Sequence, residues 1–340
     1  MNVKNINKEI AQLVTLIVTV VLLVLYGIFW KPNNFEEPSK KITVSKGETF
    51  SSLADSLLNN GIISNKRTFT IAGRILGVTH AMRVGKYVFR SGLSNLEILN
   101  DIETGRSSVA IKVTIVEGER ATQIASQLTR ELGIDSSRFM SFLSDTSLIG
   151  IHPNGSSSLE GYLLPDTYEF FWQDDEEHII NTLLREFRSF YVDSLRQRAK
   201  QMKLSLNDVL TMASIVEGEA MFDDERAVIA GVYYNRLKKR MRLQADPTVQ
   251  YAISDTPRRL TYDDLKFDSP YNTYQVYGLP PGPINNPGRQ SILAALYPAK
   301  HHYIYFVSNN NGRHRFARTY AEHLRNVRAY RRARSVAMSR

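Results

Sequence analysis

Apolar positions along this chain fall into three patterns: one unbroken run, two copies of an alternating strand with an amphipathic helix, and a longer helical stretch. The unbroken run is Ile10 to Trp30, IAQLVTLIVTVVLLVLYGIFW, which contains no charged residue. As a helix it reaches ~31 Å, the thickness of a bilayer core. Tyr26 and Trp30 stand near its far end, where aromatic side chains favour the membrane interface. A cleaved signal peptide or a buried core helix are the alternatives. The run exceeds a typical signal h-region, and KPNN follows it in place of a small-residue cleavage site. With Lys4 and Lys8 before it, the positive-inside tendency expects a cytoplasmic head over residues 1–9, a transmembrane helix over 10–30 and an exported body. The polar, Pro-bearing stretch 31–41 reads as a linker.

The second pattern is an internal repeat. ITVSKGETFSSLADSLLNNGI, Ile42 to Ile62, aligns with VTIVEGERATQIASQLTRELGI, Val113 to Ile134. Each copy has an alternating strand, a turn at Gly47 or Gly118, and a helix with one apolar face. Those faces are Phe50, Leu53, Ala54, Leu57 and Ala121, Ile124, Ala125, Leu128. Met82 to Gly105 adds a strand, a turn and a helix to the first copy. The run V-x-K-G-E-T-F-x-x-L-A resembles a LysM module, which implies a hold on GlcNAc-containing glycan; plain strand–helix packing units would look the same. The expected boundaries are 42–111 for this module and 112–150 for the second repeat-like unit, whose helix continues through Phe139 to Asp145.

The third pattern begins after the Gly/Ser/Asn-rich stretch 152–158, which marks the start of a last domain at 151. Asp175 to Leu204 is one long amphipathic pattern. Ser205 with Asp208 is a capping-box pattern, and Val209, Met212, Ala213 and Val216 recur at helical spacing on one face. Asp223 can cap another helix, with Ile229, Val232, Tyr233 and Leu237 on its apolar side. Ser269 to Gly288 holds five prolines and three glycines and is irregular. Tyr303–Ser308 and His314–Ala317, around Asn311-Gly312, read as a hairpin. The basic C-terminal stretch reads as a helix or tail with a solvated face. The fold class is therefore α+β: a single N-terminal transmembrane helix, LysM-like αβ modules and a mixed α+β domain over 151–340.

Composition narrows the chemistry only a little. The net charge of +9 allows an anionic polymer or membrane as partner, but no nucleic-acid motif accompanies it. The absence of cysteine excludes a disulfide framework and a thiol nucleophile. The histidines have no metal-ligand spacing; His301, His302 and His314 read as surface or hairpin residues. Glu217 is the residue with catalytic promise. It lies at the edge of the Val209–Val216 stripe and near the helix end, where apolar surface and the negative end of the helix favour a held proton. Helix geometry alone is equally met by a Glu at the edge of a surface helix.

A resemblance changes that balance. ASIVEGEA, ERAVIAGVYYNRLKKRMRLQADPTVQY and YNTYQVYGLPPGPINNPG, with EGYLLPDTY before them and YPAKHHYIYFVSNNNGRHRFARTYAEH after, resemble the endolytic murein transglycosylases, the MltG/YceG-like family. The blocks keep the family's order over roughly Leu159 to Val327, a specific signal. Gly218 and Ala220 depart from the bulkier or polar residues often found there, which puts the local shape beside Glu217 in question.

The resemblance implies that Glu217 is the catalytic acid and base. It also places Glu219, Asn235, Gln244, Asp246, Thr248, Tyr271, Asn272 and Tyr274 at the substrate. The implied activity cleaves the MurNAc–GlcNAc bond within nascent peptidoglycan and leaves 1,6-anhydroMurNAc ends, terminating glycan elongation. No metal or organic cofactor is called for. The expected partners are peptidoglycan strands, the cell membrane itself and peptidoglycan synthases of the same membrane, with the body on the extracytoplasmic side and no nucleic acid. A hydrolytic muramidase and a non-enzymatic peptidoglycan-binding scaffold stay open as alternatives. A muramidase would need a second carboxylate, for which Asp246, Glu160 and Glu225 are available.

Overall fold

A computed structural model describes residues 3–145 and 158–338. The boundary expected at 151 and most of the 152–158 stretch lie outside the described residues. The chain divides into two compact units, Met1–Ile111 with Glu169–Asp174, and Lys112–Tyr168 with Asp175–Arg340. The second repeat-like segment thus shares a unit with Glu217. The architecture is mixed α+β, with thirteen α-helices and three two-stranded sheets among the described residues.

The first unit opens with helix α1 (Val3–Phe29). Within it, Lys8–Phe29 is long and apolar enough to cross a membrane, and its side chains are almost entirely exposed. Strand β1 (Ser39–Val44) follows, then α2 (Phe50–Asn59), α3 (Lys66–Leu76), β2 (Gly85–Arg90) and α4 (Asn95–Thr104). β1 and β2 are antiparallel, in register from Ser39 opposite Arg90 to Val44 opposite Gly85. Each helix starts where a side chain satisfies its free amides: Thr49 caps α2, Asn65 caps α3, and Ser94 with Glu97 forms a capping box on α4. Between the strands and helices lies a core built on Leu53, Leu57, Phe69, Phe89 and Leu99.

Residues 31–38 are not the free linker the composition suggests. Asn33 is buried; it donates to Leu93 O at 3.0 Å and to Asn95 Oδ1 at 3.2 Å, and accepts from Ser64 N at 2.8 Å. A buried amide with its groups satisfied fixes the chain it belongs to.

The second unit holds the remaining helices. β3 (Ile111–Thr114) pairs with β4 (Thr167–Phe170); Ile111, Glu169 and Phe170 of these strands count with the first unit and the rest with the second. The helix expected to continue to Asp145 is two, α5 (Ala121–Leu132) and α6 (Ser136–Leu143), because Gly133 turns left-handed and Asp135 caps a new helix. The long pattern over 175–204 likewise divides into α7 (Glu176–Phe190) and α8 (Asp193–Met202).

α9 (Leu206–Glu219) starts at the expected Ser205–Asp208 capping box. It is not an amphipathic surface helix: every residue from Val209 to Val216 is buried. A helix apolar on all sides belongs in a core, and α10 (Asp223–Lys238) and α12 (Arg289–Leu296) pack on it. Phe222, not Asp223, precedes the first turn of α10. Three acidic residues, Asp223, Asp224 and Glu225, sit in that turn, where the positive helix end favours them. α11 (Asp246–Ile253) carries Pro247 in its first turn. The hairpin is present, with β5 (Tyr305–Ser308) antiparallel to β6 (His314–Ala317), before the long α13 (Tyr320–Met338).

Leu57 has no exposed surface in the first unit's core. Leu57→Ala is expected to lower stability by about 3–4 kcal/mol, the transfer and cavity cost of such a truncation. Denaturant midpoints at equal slope would measure it, and a loss under about 1 kcal/mol would show a core that collapses around the gap.

Candidate active site

Glu217 ends the buried part of α9, and both its oxygens are taken by N–H donors. Arg226 Nη1 donates to Oε1 at 2.7 Å, and the Gly288 amide donates to Oε2 at 2.9 Å. The two side chains of the ion pair are 6% and 7% exposed. The apolar surroundings expected from the α9 stripe are therefore only half of the setting. The other half is a guanidinium and the N-terminal end of α12, for which Gly288 is the capping residue. Arg226 is itself anchored: its Nε donates to Asp223 Oδ1 at 2.9 Å and Nη1 to Ser291 Oγ at 2.6 Å.

A cleft of about 700 Å³ lies alongside, bordered by Glu117, Arg120, Gly218, Glu219, Asp246 and Arg258, among others. Gly218 explains one departure from the family pattern. A Cβ there would come within 2.7 Å of Pro247 Cβ, so a side chain would push α11 away from the end of α9. Ala220, the other departure, is buried.

Glu219 faces a different set of groups from Glu217. Its Oε1 accepts from Tyr233 Oη at 3.0 Å. Burial, helped by the nearby Asp246 charge and opposed by the Tyr233 hydrogen bond and by Arg236, pushes its carboxyl up to about 7. Asp246 Oδ1 accepts from Tyr274 Oη at 2.6 Å; Glu219 and Asp246 border the cleft, and Tyr274 supports Asp246 from outside its lining.

The other residues expected at the substrate are placed otherwise. Thr248 and Asn272 have no exposed surface. Thr248 Oγ1 pairs with Thr273 Oγ1 at 2.8 Å, and Asn272 Nδ2 donates to Leu265 O and Phe267 O at 3.1 and 2.7 Å. Both hold the loop and cannot reach a ligand. Asn235 donates to His301 O and Tyr303 O at 2.9 and 3.0 Å and borders a second, separate cleft. Gln244 is exposed in a left-handed conformation, φ 49°, outside the first cleft's lining. Tyr271 packs its ring on Tyr251, 4.8 Å between centroids.

Glu160 and Glu225 are structural. Glu160 accepts from the Ala121 amide at 3.0 Å and from Asn286 Nδ2 at 2.9 Å, capping α5. Burial pushes its carboxyl up to about 7, against the Ala121 amide, Arg120 and Asn286. Glu225 pairs with His314, Oε2 to Nδ1 at 3.0 Å.

Sequence reasoning missed Arg226, Gly288, Asn286 and Glu117. Arg226 had a signal: it stands three residues before Ile229 and seven before Tyr233, a cation on the apolar face of α10. Gly288 and Asn286 lie in an irregular loop, where no periodicity marks which side is inward.

A sequence model of the YceG-like family matches residues 42–329. The endolytic murein transglycosylase of Bacillus subtilis (strain 168) is 35% identical over 323 residues, 88% of this chain and 89% of that protein. The endolytic murein transglycosylase of Streptococcus pneumoniae (strain R6) is 26% identical over 320 residues; these cover 84% of this chain and 57% of that protein. The crystal structure of a YceG-like protein from Listeria monocytogenes matches with a TM-score of 0.59 at 31% identity, covering 85% of this chain and 98% of that one.

A carboxyl whose folded pKa is raised costs stability where it must ionise. For Glu219 that cost is absent below the ordinary value of 4.5 and complete above about 7. Glu219→Gln keeps an acceptor for Tyr233 and removes the charge. Its thermal midpoint should therefore rise relative to wild type as pH climbs through that window. A midpoint difference that is flat with pH would remove the raised carboxyl.

Proposed function

The chain belongs to the YceG-like family, and from that membership and the geometry around Glu217 we propose that it is a membrane-anchored endolytic murein transglycosylase. The observation that carries the proposal is one carboxylate, Glu217, held by Arg226 and the Gly288 amide, with its neighbours Gly218 and Glu117 bordering an open cleft of about 700 Å³. In the proposed reaction the Glu217 carboxyl gives its proton to the glycosidic oxygen as the C1–O bond of MurNAc breaks. The resulting carboxylate takes the proton of the same sugar's 6-hydroxyl as that oxygen bonds to C1 and closes the anhydro ring. No water enters, and Glu217 ends in its starting state. Arg226 and Gly288 offer the anion of the intermediate stage two hydrogen bonds already in place, the preorganisation that such catalysis depends on.

Glu219 and Asp246 are proposed as the substrate-facing wall, since both border the cleft, with Tyr274 behind them donating to Asp246. The first unit is proposed as a LysM-like glycan-holding module over residues 42–111. A cleft of about 560 Å³ bordered by Lys41, Ser56, Asn60, Lys86 and Tyr87 supports that reading. α1 is proposed to span the cell membrane with the body on its outer side, near the peptidoglycan synthases of the same membrane. Protease added outside wall-stripped cells is then expected to digest the body; a fully protected body would place it in the cytoplasm.

The deciding assay is mass spectrometry of glycan strands incubated with the full-length protein in detergent. Anhydro ends are expected. Ends heavier by one water would identify a muramidase, and unchanged strands a scaffold. Glu217→Gln keeps the shape and the ability to hydrogen-bond but carries no transferable proton. It should lose at least about 10²–10⁴-fold in turnover, with circular dichroism unchanged. Turnover near wild type in a folded variant would take Glu217 out of the mechanism.

A further inference from the structure

The proton-transfer scheme leaves one neighbouring carboxylate unused. Glu117 stands in the turn between β3 and α5, on the border of the cleft, with its side chain 47% exposed. Its Oε2 is 3.5 Å from Arg226 Nη2, while Nη1 of the same guanidinium is 2.7 Å from Glu217 Oε1. Gly288 links the pair a second time. Its amide donates to Glu217 Oε2, and a Cβ on it would fall 1.9 Å from Glu117 Oε1. Only glycine lets Glu117 lie against the residue that holds Glu217.

We propose that Glu117 is a positioning residue of the Glu217 centre: through Arg226 and Gly288 it orients Glu217 and sets the pH range over which the centre turns over. This rests on the reading of Glu217 as proton donor and acceptor. The charged groups facing Glu117 are Glu217 from α9 and Asp223 and Arg226 from α10, with the N-terminal end of α12 at Gly288. One guanidinium meets three carboxylates. Burial first, then the Glu217 charge and that of Asp223, push the Glu117 carboxyl above the ordinary range, with Arg226 opposing. A negative charge at either carboxylate disfavours ionisation of the other through the guanidinium they share.

Two measurements on the full-length protein in detergent test this. The first is the pH profile of anhydro-product formation. Glu117→Gln should move its alkaline limb to lower pH by about one unit, while Glu117→Asp, which keeps the charge, should restore most of it. Wild-type limbs in both variants would overturn the proposal, and a uniform fall in rate without a shift would reduce Glu117 to packing.

The second does not depend on turnover. A carboxyl raised by its surroundings costs stability above its folded pKa and nothing below the ordinary carboxylate range, so Glu117→Gln should gain in thermal midpoint over wild type as pH rises above that range. A midpoint difference constant with pH would overturn the shared charge. Failure of the wild-type protein to form anhydro ends would count against the proposed function instead, and the second measurement would still decide for or against Glu117.

Discussion

A single buried amide, Asn286, holds together the parts of the second unit from which the Glu217 site is built. Its backbone N–H and its Nδ2 both donate to Glu119 O, at 2.9 and 3.0 Å, and Nδ2 also reaches Glu160. Its Oδ1 accepts from the amides of Gly161 and Leu163 at 2.8 and 3.0 Å, and its backbone carbonyl accepts from Gly118 N at 2.9 Å. An asparagine side chain has two donors and one carbonyl oxygen with two lone pairs, and here all are occupied. Three segments distant in sequence, around residues 118, 161 and 286, are thereby fixed to one another. Glu117 sits one residue before the first of them, and Gly288 two residues after the last.

That arrangement accounts for the position of Glu217 better than helix propensity does. A carboxylate at the C-terminal end of a buried helix meets the unfavourable end of the helix dipole. Here the N-terminal end of α12 and the Arg226 guanidinium face it across a short gap, so the local field at Glu217 is a balance of opposed dipoles and charges. The cost of burying Arg226 is met by Asp223, Ser291 and Glu217 together, each at hydrogen-bonding distance.

Much of the fold was legible in the sequence. The capping box at Ser205, the apolar faces of the two repeat copies and the C-terminal hairpin all follow from side-chain period and turn chemistry. Where the reading failed, longer-range contacts were responsible. Apolar residues on one face of α9 said nothing about the other faces, which are buried because neighbouring helices surround them. Thr248 and Asn272 looked like ligand-binding residues, yet they serve loop carbonyls and hydroxyls that only the folded chain brings near. Glu117 had a visible signal. The two repeat copies make the same turn, with Glu48 accepting from Ser45 N at 3.0 Å and Glu119 from Val116 N at 3.1 Å. Within that shared turn the copies differ in charge, Lys46 in the first and Glu117 in the second.

The tie between α1 and the first unit has a mechanical consequence. Phe29 is buried in that unit's core, and Asn95 Nδ2 donates to Ile28 O at 2.8 Å, so the helix enters the domain without slack. Residues 31–38, which could have acted as a swivel, are pinned by Asn33. A turn of the apolar helix about its axis therefore carries the core of the first unit with it as one lever, with no slack segment between them to absorb the motion.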